Sequence, residues 1–215
     1  KRRVVSQPDR QPKNIALAWT GASGIQYGIR LLECLLEAGC EVSLMVSKPA
    51  QVVIGMETDL ALPGRVAELQ NALRARFATA TGRVSVYGRD QWTAPLASGS
   101  AAPDAMVICP CTTATVSAVA TGASRSLIER AADVALKEGK PTLLVVRETP
   151  LSAIHLENML RLSRAGAVIM PAAPGFYHRP RSVQDLIDFM VARILDHLGI
   201  PQSIMPPWGS EKEEI

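Results

Sequence analysis

No apolar run in the 215 residues approaches the roughly 20 that a membrane-spanning helix requires. The opening residues carry charge where a secretory signal would carry an apolar centre, so a cytoplasmic protein with no membrane role is expected. Cysteine is sparse: the four are Cys34, Cys40, Cys109 and Cys111. Cys109-Pro110-Cys111 lacks zinc-ligand spacing and no His/Cys pair completes a site, so no metal is expected. Such thiols read as free, partly buried groups of a reducing compartment. The dinucleotide fingerprint G-x-G-x-x-G is missing. So is the elbow G-x-S-x-G that would give His155, His178 or His197 a nucleophile to activate. Formal charge is a small +3, and much of it lies in residues 1–13, where Lys1, Arg2, Arg3, Arg10 and Lys13 face Asp9. This stretch is expected to be a disordered basic tail. Aromatic residues make up 4% of the chain and interleave no basic patch, so nucleic acid is not an expected partner.

What is present suits one α/β domain: 47% apolar and 20% charged residues, over a length that buries a full core. Ile15-Ala16-Leu17-Ala18-Trp19 runs straight into Thr20-Gly21-Ala22-Ser23-Gly24, and helical spacing of Leu31, Leu32, Leu35 and Leu36 follows. That pattern is a buried strand, a tight turn and a helix whose N-terminal N–H groups face whatever covers the turn. Further strands are expected at Glu41–Val46, Val84–Tyr87, Ala105–Cys109, Thr142–Val146 and Ala167–Met170, with Pro110 closing the fourth. Helices are expected from Ser47 to about Met56, over Gly64–Ala78, from Thr112 to Gly122, over Leu127–Lys137, from Ser152 to Arg164 and from Ser182 to about Leu198. Glu57 is placed in a connection, and Gly88–Asp104 in a long, weakly structured loop. The alternation implies an α/β, Rossmann-like three-layer sandwich. It has a mostly parallel six-stranded sheet in the order 3-2-1-4-5-6, with helices on both faces. Residues 14–200 form its single domain, and 201–215 form a tail carrying Trp208.

In such sheets ligands bind beyond the carboxyl ends of the strands. Hydroxyls and charges recur there: Ser23, Ser47, Thr112, Thr113, Thr115, Arg147, Glu148 and Tyr177. Arg130 and Lys137, seven apart, share a helix face. The chemistry implied is anion binding beside an acid/base carboxylate, with Arg147, Lys137 and Arg193 for a phosphate and Glu148 for a proton. Plainer roles compete: the hydroxyls as helix caps, Arg147–Glu148 as a surface pair, Tyr177 as a packing ring.

Several longer runs then converge. Thr20-Gly21-Ala22-Ser23-Gly24, Ile108-Cys109-Pro110-Cys111-Thr112, the run from Leu127 to Lys137, Arg147-Glu148, Ile154 to Leu160, and Pro171 to Tyr177 closely resemble the UbiX flavin prenyltransferases. The resemblance spans about Asn14 to Trp208. It implies a homododecamer that binds FMN and, without metal, joins a dimethylallyl group to N5 and C6 of reduced FMN. The product, prenylated FMN, serves UbiD-type decarboxylases. The donor is expected to be dimethylallyl phosphate. By the same resemblance Gly21, Ala22 and Ser23 lie beside the flavin, Ser23 near N5. Ser47 and Thr115 resemble FMN phosphate ligands, Thr112 and Thr113 lie near the ring, and Arg130 contacts the flavin. Lys137, Arg147, Tyr177 and Arg193 resemble the clamp on the dimethylallyl phosphate. Glu57 and Glu148 resemble the acid/base carboxylates, and Trp92 and Trp208 the walls of the prenyl site. One departure stands out: Ser124-Arg125-Ser126 occupies a turn where the family usually has Asn before the Leu at 127. Two other readings remain: an FMN-dependent decarboxylase of cysteine-type substrates, for which no histidine follows the second strand, and a non-catalytic flavin carrier.

Overall fold

A computed structural model describes residues 14–206. Six strands form one sheet: β1 (Asn14–Trp19), β2 (Glu41–Val46), β3 (Arg83–Tyr87), β4 (Ala105–Cys111), β5 (Thr142–Val146) and β6 (Val168–Pro171). Their order is β3-β2-β1-β4-β5-β6, and every pairing is parallel. The expected order and class therefore hold. The chain switches sides of β1 between β3 and β4, which opens a crevice at the carboxyl edge there.

Among the described residues seven α-helices cover the two faces: α1 (Ile25–Glu37), α2 (Lys48–Glu57), α3 (Val66–Arg76), α4 (Thr113–Ala120), α5 (Leu127–Lys137), α6 (Ala153–Arg164) and α7 (Val183–His197). β1 divides its side chains by strict alternation. Ile15, Leu17 and Trp19 join a core with residues of α1, α2, α3 and α7. Ala16 and Ala18 join a second core with residues of α4, α5 and α6. Leu31, Leu32 and Leu35 of α1 are wholly buried, and each such burial contributes roughly 1.5–3 kcal/mol. Arg30 fastens α1 to α7 through Asp188, at 2.8 Å.

Element ends shift by a residue or two in several places, and three stretches depart from expectation in ways that bear on the site. β4 continues past Pro110 to Cys111, because a register shift between Ile108 and Cys111 lets Cys111 pair with Val146. Glu57 ends α2 instead of lying in the connection. The 88–104 stretch is anchored by two 3-10 turns, Pro95–Ala97 and Gly99–Ala101, and buries Ala94 and Leu96 against the second core. The basic residues 1–13 and Trp208 lie outside the described residues.

Candidate active site

Thr20, the last β1-side residue before the turn, is 3% exposed. Its hydroxyl donates to Pro110 O at 2.7 Å and accepts from Thr112 N–H at 2.9 Å. This staple fixes the end of β1 against the end of β4. It also sets Thr112, whose hydroxyl accepts from Thr115 N–H at 3.1 Å as the cap of α4. The Thr112 and Thr115 hydroxyls lie 2.9 Å apart. Across the crevice Ser47 caps α2 in the same way, accepting from Ala50 N–H at 3.2 Å. Two helix N-termini, each presenting N–H groups and a hydroxyl, therefore flank one opening.

That opening is a cavity of about 430 Å³. Gly21, Ser47, Thr112 and Thr115 line it, as expected from sequence. Thr20, Lys48, Tyr87, Arg89, Ser126 and Glu129 also line it and were not singled out as ligand contacts. Tyr87 ends β3 and Arg89 follows it, much as Ser47 follows β2, so the same carboxyl-edge rule applied to that strand would have found them. Met45, Val46, Leu127 and Ile128 add apolar walls. A glycine is required at 21, because a Cβ there would run into Pro49 Cβ. The volume, the apolar walls and the two capped helix ends suit a planar ring carrying an anionic tail. Ser126, in the turn where Asn was expected, lines the cavity and caps α5 by accepting from Glu129 N–H at 3.4 Å.

Ala22 is buried, and Ser23 is exposed on the turn above α1. Gly24, the N-cap of α1, has φ 96° and no side chain to cap with. Glu57 does that work from α2: its Oε2 accepts from Gly24 N–H at 2.8 Å and from Ile25 N–H at 3.3 Å. The carboxylate expected to move protons is thus engaged at a positive helix end. Thr113, the first residue of α4, is half-buried.

The expected clamp residues divide into two places. Arg147 closes the end of β5 against β4, its N–H donating to Cys111 O at 3.3 Å. Its side-chain Nε is buried with no hydrogen-bond partner among the described residues. Glu148 beside it is exposed and accepts from its neighbour Thr149 N–H at 3.1 Å. Tyr177, in the loop after β6, packs edge-on against Phe189 of α7, and Arg193 lies one turn further along α7, paired with Asp196 at 3.2 Å. Lys137 is elsewhere. It ends α5, whose first residue Leu127 lines the cavity, so about 15 Å of helix separates the two. There Lys137 pairs with Glu138, whose carboxyl it holds below the usual range by hydrogen bond and charge. Arg130, nearer the cavity, donates from Nε to Ala97 O at 3.1 Å and pairs with Asp133 at 3.0 Å. Trp92 is exposed, on the 88–104 stretch. Lys137 precedes β5 and Arg147 follows it, so the length of that strand, about 16 Å for five residues, keeps Lys137 from Arg147 within one chain. Near the cavity, burial pushes the Cys109 and Cys111 thiols far above their ordinary range, so neither serves as a nucleophile.

Fold and site together define a flavoprotein-like α/β sandwich, and a family model described as Flavoprotein matches residues 3–195. A protein named flavin prenyltransferase UbiX from Pseudomonas aeruginosa is 60% identical over 200 residues, covering 93% of this chain and 96% of that one. The crystal structure of AnUbiX (PadA1) in complex with FMN and dimethylallyl pyrophosphate superposes with TM-score 0.82 at 38% identity, covering 94% of this chain and all of that one. A dodecameric FMN-dependent UbiX-like decarboxylase from Escherichia coli O157:H7 matches with TM-score 0.76 and 38% identity, over 86% and 94% of the two chains. The chain belongs to the Flavoprotein family and, within it, to the UbiX flavin prenyltransferases.

Proposed function

We propose that the protein is a flavin prenyltransferase that transfers a dimethylallyl group from dimethylallyl phosphate to reduced FMN. The observation that carries this reading is the 430 Å³ cavity between two hydroxyl-capped helix ends, with Arg147 on the neighbouring strand end, its buried Nε without a hydrogen-bond partner among the described residues. FMN supplies the ring atoms N5 and C6 that accept the prenyl group. Ser47 and Thr115 would hold its phosphate, Thr112 and Thr113 would lie near its ring, and the walls from Met45, Tyr87 and Leu127 would press on that ring. Gly21, Ala22 and Ser23 would run beside the ring edge.

Cleaving the allylic C–O bond of the phosphate monoanion places positive charge on the five-carbon unit and leaves a phosphate dianion. Arg147 and Arg193 would stabilise that dianion, and Tyr177 would donate to it. Glu148 would accept the proton released on ring closure, and Trp92 and Trp208 would exclude water from the allyl group. Lys137 completes the clamp from a neighbouring copy of the chain, because its own copy holds it a helix length away. Exposed Ile154, Leu156 and Leu160 on α6, and Val52 and Met56 on α2, would supply the subunit contacts of a homododecamer. Four sparse, buried cysteines suit a cytoplasmic location.

The product would pass to a UbiD-type decarboxylase. Flavin extracted after anaerobic incubation with reduced FMN and dimethylallyl phosphate should activate an apo-decarboxylase of that type, and extract lacking the donor should not. Equal activation by both extracts would point to a flavin carrier. Co-assembly of Lys137→Ala with Arg147→Ala chains should restore activity that each lacks alone, since some clamps then receive both wild-type residues. Absence of any recovery would return Lys137 to its own chain. The decarboxylase of cysteine-type substrates is the weaker reading, since the 60% identical relative is a prenyltransferase.

A further inference from the structure

The loop after β6 ends in a cluster of three rings. His178 stacks on Phe189 of α7, with centroids 5.3 Å apart and planes within 5° of parallel. Tyr177 stands edge-on to both, 5.8 Å from His178 at 80° and 5.6 Å from Phe189 at 77°. Gly175 closes another side: a Cβ there would lie 2.8 Å from Tyr177 Cε1 and 3.1 Å from Phe189 Cζ. Immediately after His178 the backbone turns sharply. Arg179 takes φ 53°, a left-handed conformation that side-chain-bearing residues seldom adopt, and its N–H donates to Phe176 O at 3.0 Å. The ring stack lies directly before this turn in the chain.

Both nitrogens of His178 are buried, and neither has a hydrogen-bond partner among the described residues. A buried polar atom without a partner is rare in folded proteins and asks for a reason. Because the nitrogens are closed off from solvent, they do not reach a bound substrate in this arrangement. The ring acts through its face and edge.

We propose that His178 is a positioning residue for Tyr177. Stacked on Phe189, it forms one wall of the slot that holds the Tyr177 ring edge-on, so the phenol is presented to the donor phosphate in one orientation. This rests on the reading of Tyr177 as a ligand of that phosphate. Orientation fixed before binding lowers the entropy lost on binding, so the effect falls on substrate affinity.

The test uses the assembled full chain with 3-fluorotyrosine incorporated at its three tyrosines. Tyr177→Phe identifies the Tyr177 fluorine resonance. In His178→Ala that resonance should collapse to the position and width of a freely rotating exposed tyrosine, while the Tyr27 and Tyr87 resonances stay. In His178→Phe, which keeps a ring in the slot, it should remain as in the wild type. In turnover, His178→Ala should raise KM for dimethylallyl phosphate about fivefold, the size expected for losing one aromatic pair, with kcat and FMN affinity within about twofold. His178→Phe should restore KM, and His178→Ala should add nothing to Tyr177→Phe. An unmoved Tyr177 resonance in His178→Ala would overturn the proposal. So would His178→Phe proving as damaging as His178→Ala, because the nitrogens would then be in use. Fluorine spectra that behave as expected in a protein that makes no prenylated flavin would instead remove the prenyltransferase reading and leave the positioning of Tyr177 intact.

Discussion

Thr20→Val removes one oxygen and keeps the shape of the side chain, so it isolates the staple between β1 and β4. Two hydrogen bonds go with that oxygen: the 2.7 Å donation to Pro110 O and the 2.9 Å acceptance from Thr112 N–H. Pro110 O retains a partner, since Thr20 N–H also donates to it at 3.2 Å. Losing the donated bond therefore costs about 1 kcal/mol. Thr112 N–H loses its acceptor in a half-buried position, which costs about 1–3 kcal/mol. The total is roughly 2–4 kcal/mol, a large share of the stability of an ordinary domain. The urea midpoint should fall accordingly at fixed protomer concentration, with the slope unchanged. Thr112 also positions Thr115 at the cavity wall, so FMN affinity measured by flavin fluorescence should fall with stability. A midpoint shift worth less than about 0.5 kcal/mol would refute the reasoning, because surface substitutions commonly do that much.

Gly28→Ala should destabilise by about 1–3 kcal/mol, because a Cβ on this face of α1 meets Cys109 O and the Trp19 indole, neither of which can move aside cheaply. Thermal unfolding checks it, and a neutral outcome would mean that α1 shifts freely. Glu57→Ala should cost about 1 kcal/mol through loss of the cap on Gly24 and Ile25. Glu57→Gln should cost less, since an amide oxygen still accepts while the favourable charge at the helix end is gone; equal losses would argue against the cap. Stability should also decline above about pH 9. Burial raises Cys34 to about 11 and pushes Cys40, Cys109 and Cys111 up from the ordinary 9.0. The unfolded chain releases those protons first, so alkali favours unfolding. Tyr27, raised by burial, adds to the trend above its ordinary 10.0. Urea midpoints at pH 8 and pH 10 check this, and a flat profile would contradict it.

The order of the sheet was legible because each strand is a short apolar run between clear stops, and because right-handed crossovers leave few ways to arrange six parallel strands. Gly122, read as a helix end, does carry positive φ, at 69°. Pro110 misled for a physical reason: proline lacks a donor and normally ends pairing, but the shift at Ile108 carries the ladder past it. Glu57 looked like a loop carboxylate because its partner, the bare N-terminus of α1, is 33 residues away in sequence. Four of the expected cavity residues were readable from their place after strands. Arg89 was hidden in a segment that looked featureless, although Ala94 and Leu96 anchor it. The separation of Lys137 from Arg147 was illegible for a different reason. Helical spacing tells which residues share a face, as Arg130 and Lys137 do, but not how far along the sheet that face carries them from a given loop.

The central claim is the reaction itself, and the most direct measurement is the mass of the flavin released after anaerobic incubation with reduced FMN and dimethylallyl phosphate. The account requires a flavin heavier by one five-carbon unit, formed by the wild type and lost in Lys137→Ala and Arg147→Ala. Bound FMN of unchanged mass would contradict it.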